Sequence, residues 1–395
     1  MNGSVVIAAG ARTPIGRFGG SLSRVPLAEF TAVAMREAMA RAGVRPEEVE
    51  QVVMGQVYQG GFRANPARQA ALLAALPVEV PAALVNQQCS SGSRALEIAA
   101  DLIRLGRAEI VLAGGMDAMS QVPYILPHGR WGSRLGDETA RDGLLWDALV
   151  DPTFDEHMGV TADLLAKEYD IAREEADRFA LLSQQRAAVA GASGRLAEEI
   201  TAVPLAAGSR GEGRFTEDEH PRHDTSYQAL AALGPVFSQD GITTAGNASG
   251  LNDGATAIVL MAAETAMRRG IEPLAVLVDS VSVAVEPRRM GIGPVPAVRA
   301  LLARTGLGLA EIDLVELNEA FAAQVLACQR ELKIPEDRLN VNGGAIALGH
   351  PPGSTGARLV LTLAYELRRS GGRYGIATQC AGGGPAMATL IERPN

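Results

Sequence analysis

Residues 89–93 read Cys89-Ser-Ser-Gly-Ser, and the phrase returns later in the chain as His350-Pro-Pro-Gly-Ser, residues 350–354. Each phrase stands at the start of a helix-length segment that a glycine closes, Gly106 in the first case and Gly371 in the second. The two phrases are 261 residues apart. Cys89 and His350 therefore hold the same position in two similar parts of the chain.

A second pair of segments repeats at nearly the same distance. The stretch Ala-Arg-Ala-Gly-Val that begins at Ala40 aligns without gaps on Ala-Arg-Thr-Gly-Leu, which begins at Ala303, an offset of 263 residues. Such repetition indicates an internal duplication. If the two halves pack about a pseudo-twofold axis, two helix N-termini converge. Their free N–H groups and positive dipole ends are then expected to lower the pKa of Cys89.

The remaining apolar segments predict an α/β fold. Short apolar runs of the length of buried strands alternate with helix-length segments that end at glycine. This alternation is typical of a parallel sheet that helices cover on both faces. The runs that predict strands are Val5–Ala9, Ile110–Ala113, Ile258–Ala262 and Gly375–Thr378.

The middle of the chain breaks this pattern. It contains two charged amphipathic helices near Thr161–Tyr169 and Arg173–Ala190, and a polar stretch at 207–226. A long insertion in a compact enzyme is typical of a lid or a binding loop. The predicted domains are an N-terminal half of residues 1–120 with 251–272, a loop domain of residues 121–250 and a C-terminal half of residues 273–395.

Composition disfavours several classes of protein. Of the 395 residues, 47% are hydrophobic and 21% are charged, which is typical of a globular protein of two or three domains. The net charge of −9 disfavours binding to nucleic acid, which depends on a basic surface. No apolar run reaches the length of about 18 residues that a membrane helix needs. Three cysteines without an even, closely spaced set predict a reducing compartment, the cytoplasm.

Three reactive side chains stand in segments rich in glycine or serine. Cys89 and His350 precede helices, and Cys380 stands in Gln-Cys-Ala-Gly-Gly-Gly-Pro. A thiol nucleophile, an imidazole that activates it and a second thiol that acts as a base are what acyl transfer onto a carbon acid requires. The third cysteine, Cys328, lies on an apolar helix and is predicted to belong to the core.

The sequence does not predict a metal site. His220 and His223 lie near two aspartates at a loosely metal-like spacing, but no cysteine or third histidine joins them. We interpret this stretch as a solvated loop. The glycines that begin at Gly382 are not a phosphate loop, because no Gly-Lys-Ser/Thr follows them.

Several longer motifs resemble those of the thiolase family, in the same order along the chain. With the segments of Cys89, His350 and Cys380, they extend the resemblance from Ala11 to the last strand. The resemblance implies a five-layered αβαβα fold of two duplicated halves, with a loop domain over the active site, assembled as a homodimer or homotetramer. The further motifs are Ala11-Arg-Thr-Pro-Ile-Gly, His157-Met-Gly-Val-Thr-Ala, Thr244-Ala-Gly-Asn-Ala-Ser-Gly-Leu-Asn-Asp-Gly, Met290-Gly-Ile-Gly-Pro-Val-Pro, Asn318-Glu-Ala-Phe and Asn340-Val-Asn-Gly-Gly-Ala.

The resemblance implies a catalytic role for five residues. Cys89 is expected to accept an acyl group from coenzyme A (CoA), His350 to activate it, and Cys380 to remove or return the α-proton of the second substrate. Asn318 is expected to hold a water that, together with His350, binds the thioester oxygen as it gains charge. The backbone N–H groups of Cys89 and Gly382 are expected to form a second oxyanion hole.

Four further residues match positions of the CoA site in thiolases. Ser249 and His157 are expected to line the tunnel for the pantetheine arm, with Met158 beside it. Arg222 is expected to bind the nucleotide phosphates through its fork of donors. The implied partners are acyl-CoA and CoA, which is cosubstrate and product. No metal or redox cofactor is implied.

The activity that the resemblance implies is that of an acetyl-CoA C-acetyltransferase (acetoacetyl-CoA thiolase). Two molecules of acetyl-CoA condense through an acetyl-Cys89 intermediate, and thiolysis is the reverse reaction. The pair His157-Met158 resembles the short-chain biosynthetic members. Two alternatives stay open, a degradative 3-ketoacyl-CoA thiolase of longer chains and a non-catalytic carrier of acyl-CoA or lipid, although the intact catalytic set disfavours the carrier.

The chain departs from the usual thiolase pattern at four positions. Pro385 and Ala386 stand where relatives commonly have another residue followed by glycine, and alanine at a position of positive φ would cost about 1 kcal/mol or more. Pro352 stands where an aliphatic residue is usual. Ala172 replaces a serine at a helix N-cap, which loses roughly 1 kcal/mol of capping. We expect these changes to affect rate or stability, and those at 385 and 386 to affect the geometry near Cys380.

Overall fold

The computed structural model describes residues 4–205 and 213–394, so that residues 207–212 of the predicted polar stretch lie outside the described residues. The strands are β1 Val5–Arg12, β2 Gly16–Arg17, β3 Gln51–Gly55, β4 Ala82–Val85, β5 Ile110–Ala118, β6 Tyr124–Ile125, β7 Arg141–Asp142, β8 Val150–Asp151, β9 Glu156–His157, β10 Val203–Pro204, β11 Arg214–Phe215, β12 Asn252–Ala262, β13 Ala275–Ala284, β14 Leu314–Leu317, β15 Tyr374–Cys380 and β16 Pro385–Glu392. The α-helices are α1 Leu27–Arg41, α2 Pro66–Leu73, α3 Ser91–Arg104, α4 Met158–Glu168, α5 Arg173–Ala192, α6 Tyr227–Ala231, α7 Ala263–Arg269, α8 Pro294–Thr305, α9 Ala322–Leu332, α10 Ala345–Leu348 and α11 Pro352–Ser370. Short 3-10 helices cover Pro46–Glu48, Met119–Gln121, Pro287–Ile292, Leu309–Glu311 and Glu336–Arg338, and Leu145–Leu149 is a π-helical turn.

The largest sheet has ten strands and shows the internal duplication. Its order is β14-β15-β16-β13-β1-β12-β5-β3-β4, with β2 beside one end of β12. The two halves contain matching series of four strands, β3-β5-β12-β1 and β14-β15-β16-β13. In each series the first two strands are parallel, and each later strand is antiparallel to the one before it. The two halves meet where β1 pairs with β13, with Val5 opposite Leu277.

The prediction of a parallel sheet is wrong, because most neighbouring strands of the large sheet are antiparallel. Among the described pairs of the large sheet, β3–β4, β3–β5 and β14–β15 are parallel, and the others are antiparallel. Every residue of β1 is buried. Because helices cover both faces of this sheet, its strands are continuously apolar whichever way their neighbours run. All four predicted strand runs are present, each within a strand that extends beyond the predicted run.

Helices form three layers around the two halves of the sheet. The outer layers are α1 with α2 on the N-terminal half and α8 with α9 on the C-terminal half, while α3 and α11 lie between the halves. Alternate side chains of β1 face different layers, since Val6 joins the outer core and Val5 and Ile7 join the central one. The predicted five-layered αβαβα fold is confirmed.

The two central helices touch backbone to backbone at their first turns. A Cβ at Gly92 in α3 would lie 2.8 Å from Ala357 N in α11, and a Cβ at Gly356 would lie 2.5 Å from Ser93 N. Glycine is therefore required at both crossing points. The close approach brings the start of α3, which follows Cys89, next to the start of α11.

The segment between β5 and β12 forms a separate layer of structure. It contains the two-stranded sheets β6–β7, β8–β9 and β10–β11, and the helices α4, α5 and α6. Both predicted charged helices are present, as α4 and α5. Ala172 is the N-cap of α5 and provides no side-chain cap. In the described part of the chain, none of the helices has the length and apolar character needed to cross a bilayer.

Candidate active site

A cavity of about 740 Å³ opens where α3 and α11 begin. Cys89, His350 and Gly382 line this cavity. The four residues that were predicted to contact CoA also line it. They are His157, Met158, Arg222 and Ser249. The structure thus brings the predicted nucleophile, its activating histidine and the predicted CoA residues to one space.

Cys89 lies in a tight turn between β4 and α3. Gln88 has a φ of 49°, a left-handed conformation that is uncommon outside glycine. The Ser91 hydroxyl closes the turn, because it donates to Gln88 O at 2.6 Å and accepts from Gln87 N at 2.9 Å. The backbone N–H groups of Gly382 and of Cys89 itself donate to the Cys89 sulfur. These are the two donors of the predicted second oxyanion hole.

The pKa of Cys89 is raised to about 11, contrary to the prediction that helix N-termini would lower it. Burial is the main cause, and the negative charge of Asp117 adds to it. The two backbone donors lower the pKa by less than burial raises it. Cys89 is half-buried in the wall of the cavity. Cys89 is therefore a neutral thiol near pH 7, so the predicted role as a nucleophile requires that its proton leave.

The ring of His350 is fixed in one tautomer. Its Nδ1 lies 2.7 Å from Thr355 Oγ1, and the Thr355 hydroxyl donates its single proton to Pro351 O at 2.9 Å. The threonine oxygen therefore accepts from Nδ1–H of the imidazole. Nε2 of His350 then carries the lone pair, which is the state that can accept a proton from Cys89.

Burial keeps His350 neutral. It lowers the pKa of the imidazole to about 3, and the positive charge of Arg358 contributes to the shift. The backbone N–H of His350 donates to Asn252 Oδ1 at 2.9 Å. Gly349, just before it, has a φ of 102°, and a Cβ there would lie 2.7 Å from the Asn252 side chain. A neutral imidazole can accept the proton of a neutral thiol, which fits the predicted roles of His350 and Cys89.

Asn318 reaches the same imidazole from the end of β14. Its backbone N–H donates to Thr378 O at 2.9 Å, and its side-chain nitrogen lies 3.5 Å from His350 Nε2. Its side-chain oxygen is buried and has no hydrogen-bond partner among the described residues. A buried amide oxygen of this kind fits the predicted role of Asn318 in holding a water beside His350.

Cys380 stands just behind the cavity wall, at the end of β15. It is 1% exposed and packs with Met158, Met290 and Phe321. Burial and the neighbouring Cys89 raise the pKa of the Cys380 thiol well above its usual value. Its thiolate is therefore a strong base once the proton has been removed.

The two departures that follow Cys380 fit the backbone. Gly383 and Gly384 have φ values of 81° and 96°, whereas Ala386 lies in β16 opposite Cys380 and does not have a positive φ. The condition for a backbone cost of alanine, a positive φ at position 386, is therefore not met. The methyl group of Ala386 is fully buried and packs against Gly293.

The remaining departure near the site is also accommodated. Pro352 is the first residue of α11, where the helix does not use a backbone N–H, and it lines the cavity. Asp117, which the sequence did not single out, fixes this end of the helix. Its carboxylate accepts from Gly353 N at 2.6 Å and from Tyr58 N at 3.1 Å. Burial raises the pKa of Asp117 to about 7.

The interpretation of His220 as a solvated residue is wrong. Its ring lines the cavity and covers Gly250, where a Cβ would lie 2.8 Å from Nε2. His223 is exposed, as predicted. His157 also has a second role, since its ring stacks on Phe237 at 4.4 Å between centroids and its Nδ1 caps α4. Further lining residues that the sequence did not indicate are Arg17, Phe18, Tyr58, Phe237 and Phe321.

Comparison with known proteins assigns the family. The profile of the thiolase N-terminal domain matches residues 5–264, and that of the thiolase C-terminal domain matches residues 271–393. The chain belongs to the thiolase family. The resemblance that the sequence motifs suggested is confirmed.

This thiolase is similar along its whole length to proteins named acetyl-CoA acetyltransferase. The protein from Chromobacterium violaceum is 46% identical over 390 residues, which cover 99% of this chain and 100% of the relative. That from Cupriavidus necator is 45% identical over 389 residues, covering 98% and 99%.

Two solved structures have the same fold. The acetyl-CoA acetyltransferase of Bacillus anthracis superposes with a TM-score of 0.96 at 45% identity, covering 99% of both chains. Human mitochondrial 3-ketoacyl-CoA thiolase in complex with CoA has a TM-score of 0.95 at 38% identity, covering 99% of this chain and 98% of the human one.

Proposed function

We propose that this thiolase is an acetyl-CoA C-acetyltransferase, which converts two molecules of acetyl-CoA into acetoacetyl-CoA and CoA and catalyses the reverse thiolysis. The observation that carries the proposal is the arrangement at the cavity. Cys89 and His350 line it, Nε2 of His350 carries the lone pair because Nδ1–H is bonded to Thr355, and Cys380 packs on lining residues. The similar proteins named acetyl-CoA acetyltransferase support the short-chain activity.

The first half-reaction acetylates Cys89. His350 Nε2 takes the thiol proton while the sulfur bonds to the thioester carbon of acetyl-CoA. The electron pair of the C=O bond moves onto its oxygen, which the backbone N–H groups of Cys89 and Gly382 bind. When the pair returns, the bond to the CoA sulfur breaks. That sulfur takes the proton of Cys380, so that CoA leaves as a thiol and Cys380 becomes a thiolate.

The second half-reaction forms the carbon–carbon bond. The Cys380 thiolate takes an α-proton from the second acetyl-CoA, and the protonated His350, with the water on Asn318, binds the enolate oxygen. The carbanion attacks the acetyl carbon, and the bond to the Cys89 sulfur breaks. Cys89 regains its proton from His350, so all groups return to their starting state. The kinetics are ping-pong.

Coenzyme A is proposed as cosubstrate and product. Ser249, His157 and Met158 would contact its pantetheine arm, and the exposed Arg222 its phosphates. The proposed half-reactions balance in protons and electrons without a metal or a redox cofactor, so neither is proposed. A cytoplasmic location and assembly as a homodimer or homotetramer stay predictions from the sequence.

The test is thiolysis, followed as the loss of 3-oxoacyl-CoA enolate absorbance on addition of CoA. Acetoacetyl-CoA and a 3-oxoacyl-CoA of ten carbons or more are run side by side. We expect rapid turnover of acetoacetyl-CoA, abolished in Cys89→Ser. The matched control is Cys328→Ser, because Cys328 is buried in α9, where its thiol donates to Gly291 O.

Each other outcome has a definite meaning. Strong preference for the longer substrate would assign a degradative 3-ketoacyl-CoA thiolase. No turnover of either substrate would assign a non-catalytic carrier. Near-normal thiolysis by Cys89→Ser would remove Cys89 from the role of nucleophile.

A further inference from the structure

His220 is a polar group on the cavity to which the mechanism gives no part. Its imidazole lines the same space as Cys89 and Ser249. The ring lies against the backbone of Gly250, and any Cβ there would overlap it. Its place in the cavity wall is therefore set by packing.

Both ring nitrogens of His220 are available to a ligand. Within residues 4–205 and 213–394, no hydrogen bond joins either nitrogen to a protein group. Burial and the positive charge of Arg222 lower the pKa of the ring to about 4, so it is neutral near pH 7. A neutral imidazole offers one N–H donor and one lone pair.

The segment that carries His220 is fixed at both ends. Before it, Asp218 receives two hydrogen bonds from the fully buried guanidinium of Arg12, at 2.6 and 2.8 Å. After it, the backbone N–H of Arg222 donates to Gln184 Oε1 at 2.9 Å. A bidentate, buried ion pair gives a rigid support. The imidazole is thus held in place before a ligand arrives, which lowers the entropic cost of binding.

The chemistry of the cavity wall identifies the ligand group. A neutral imidazole with one donor and one acceptor complements an amide, which has one C=O and one N–H. Apolar residues such as Leu145, Ala148 and Leu149 form other parts of the wall. The pantetheine arm of CoA combines these features, because it carries two amides separated by short apolar segments. Arg222, two residues along, lines the same cavity, and its guanidinium can bind a phosphate.

We propose that His220 binds the pantetheine arm of coenzyme A through hydrogen bonds to one of its amides. The inference rests on the proposed function, since a CoA thioester is the ligand. It makes His220 a binding residue that acts on the affinity for the substrate and not on the transferred protons.

The test compares His220→Phe, His220→Asn and the matched control His223→Phe in the thiolysis of acetoacetyl-CoA. Phenylalanine keeps the ring that packs on Gly250 and removes both nitrogens, whereas asparagine keeps a donor and an acceptor. We expect His220→Phe to raise the KM for CoA about tenfold, the factor that corresponds to about 1.4 kcal/mol, with kcat within about twofold. His220→Asn should recover most of this loss, and His223→Phe should leave KM unchanged because His223 is exposed.

Repeating the thiolysis assay with pantetheine in place of CoA distinguishes binding of the pantetheine arm from binding of the nucleotide. If His220 binds the arm, His220→Phe raises the KM for pantetheine by the same factor. A rise for CoA alone would assign the effect to the nucleotide and overturn the proposal, as would an unchanged KM or a loss confined to kcat.

A second measurement does not depend on the variants folding. In the wild-type protein labelled with 15N-histidine, pantetheine should shift the ring-nitrogen signals of His220 and not those of His223. Unshifted His220 signals at saturating pantetheine would overturn the proposal. Absence of wild-type thiolysis, in contrast, would count against the proposed function itself, so the two failures are distinguished.

Discussion

Thr355→Val tests whether a single hydroxyl sets the proton arrangement of the site. Valine has nearly the shape of threonine, but it removes the oxygen that lies 2.7 Å from His350 Nδ1. A buried N–H without a partner costs about 1–3 kcal/mol. The ring can avoid this cost by moving its proton to Nε2, but then Nε2 has no lone pair with which to accept the proton of Cys89. Taking about 2 kcal/mol as the cost of the productive tautomer, we expect kcat for thiolysis to fall about 30-fold.

The assay is steady-state thiolysis of acetoacetyl-CoA with saturating CoA. The KM for CoA should change by less than about twofold, because Thr355 does not line the cavity. Thr355→Ser restores the hydroxyl and should recover most of kcat. The matched control is Thr305→Val, since Thr305 in α8 also donates to the carbonyl four residues earlier, Leu301 O at 2.9 Å, without an imidazole behind it. The reasoning is refuted if Thr355→Val keeps more than half of the wild-type kcat, or if serine is as poor as valine.

Three further predictions concern the base, a sequence departure and pH. Cys380→Ser should form the acetyl-Cys89 enzyme from acetyl-CoA more slowly than the wild type, seen by mass spectrometry, because the leaving CoA sulfur loses its proton donor, while condensation falls about 10²- to 10⁴-fold because the base is lost; acetylation at the wild-type rate would show that Cys380 does not protonate the leaving CoA. Ala386→Gly should lower the free energy of unfolding by about 1–2 kcal/mol, since it removes a buried methyl and adds a flexible residue, with kcat unchanged; a loss of kcat would show that the methyl group shapes the site near Cys380. The pKa of His220 is lowered to about 4 in the folded protein, so its contribution to stability is complete above about pH 6.5 and is lost as the pH falls toward 4. His220→Phe should therefore reduce the loss of stability on acidification by up to about 1.4 kcal/mol per pH unit in urea unfolding at pH 7, 6 and 5, and equal slopes for both proteins would contradict the shift.

The candidate catalytic residues stand out in the sequence because their local sequence is unusual. Cys89 and His350 precede helices in two copies of one phrase, and the glycines after Cys380 have backbone angles that other residues rarely adopt. Motifs of this kind determine local geometry, so the sequence identifies the position without knowledge of the rest of the fold. The assignment of Ser249 and His157 to the cavity came from the resemblance to thiolases.

The errors arose where distant parts of the chain decide the outcome. The sequence does not show whether β1 is parallel or antiparallel to its neighbours, because a strand buried on both faces is apolar in either kind of sheet. The pKa of Cys89 was predicted from the helix N-termini alone, whereas burial under other parts of the chain outweighs them. His220 lies in a polar stretch that gives no local signal. Its place is set by Gly250 and, through Asp218, by Arg12.

The packing of α3 on α11 determines when during protein synthesis the active site can first exist. Cys89 and α3 leave the ribosome early, whereas His350 and α11 come close to the end of the chain. α3 packs on the inner side of the first half-sheet, but the face of α3 that contacts α11 has no partner until α11 has been made. Contacts between such distant parts of a chain form slowly. A growing chain must therefore keep the apolar side of α3 from aggregating until the second half emerges, and a chain truncated before His350 lacks the residue that is proposed to activate Cys89.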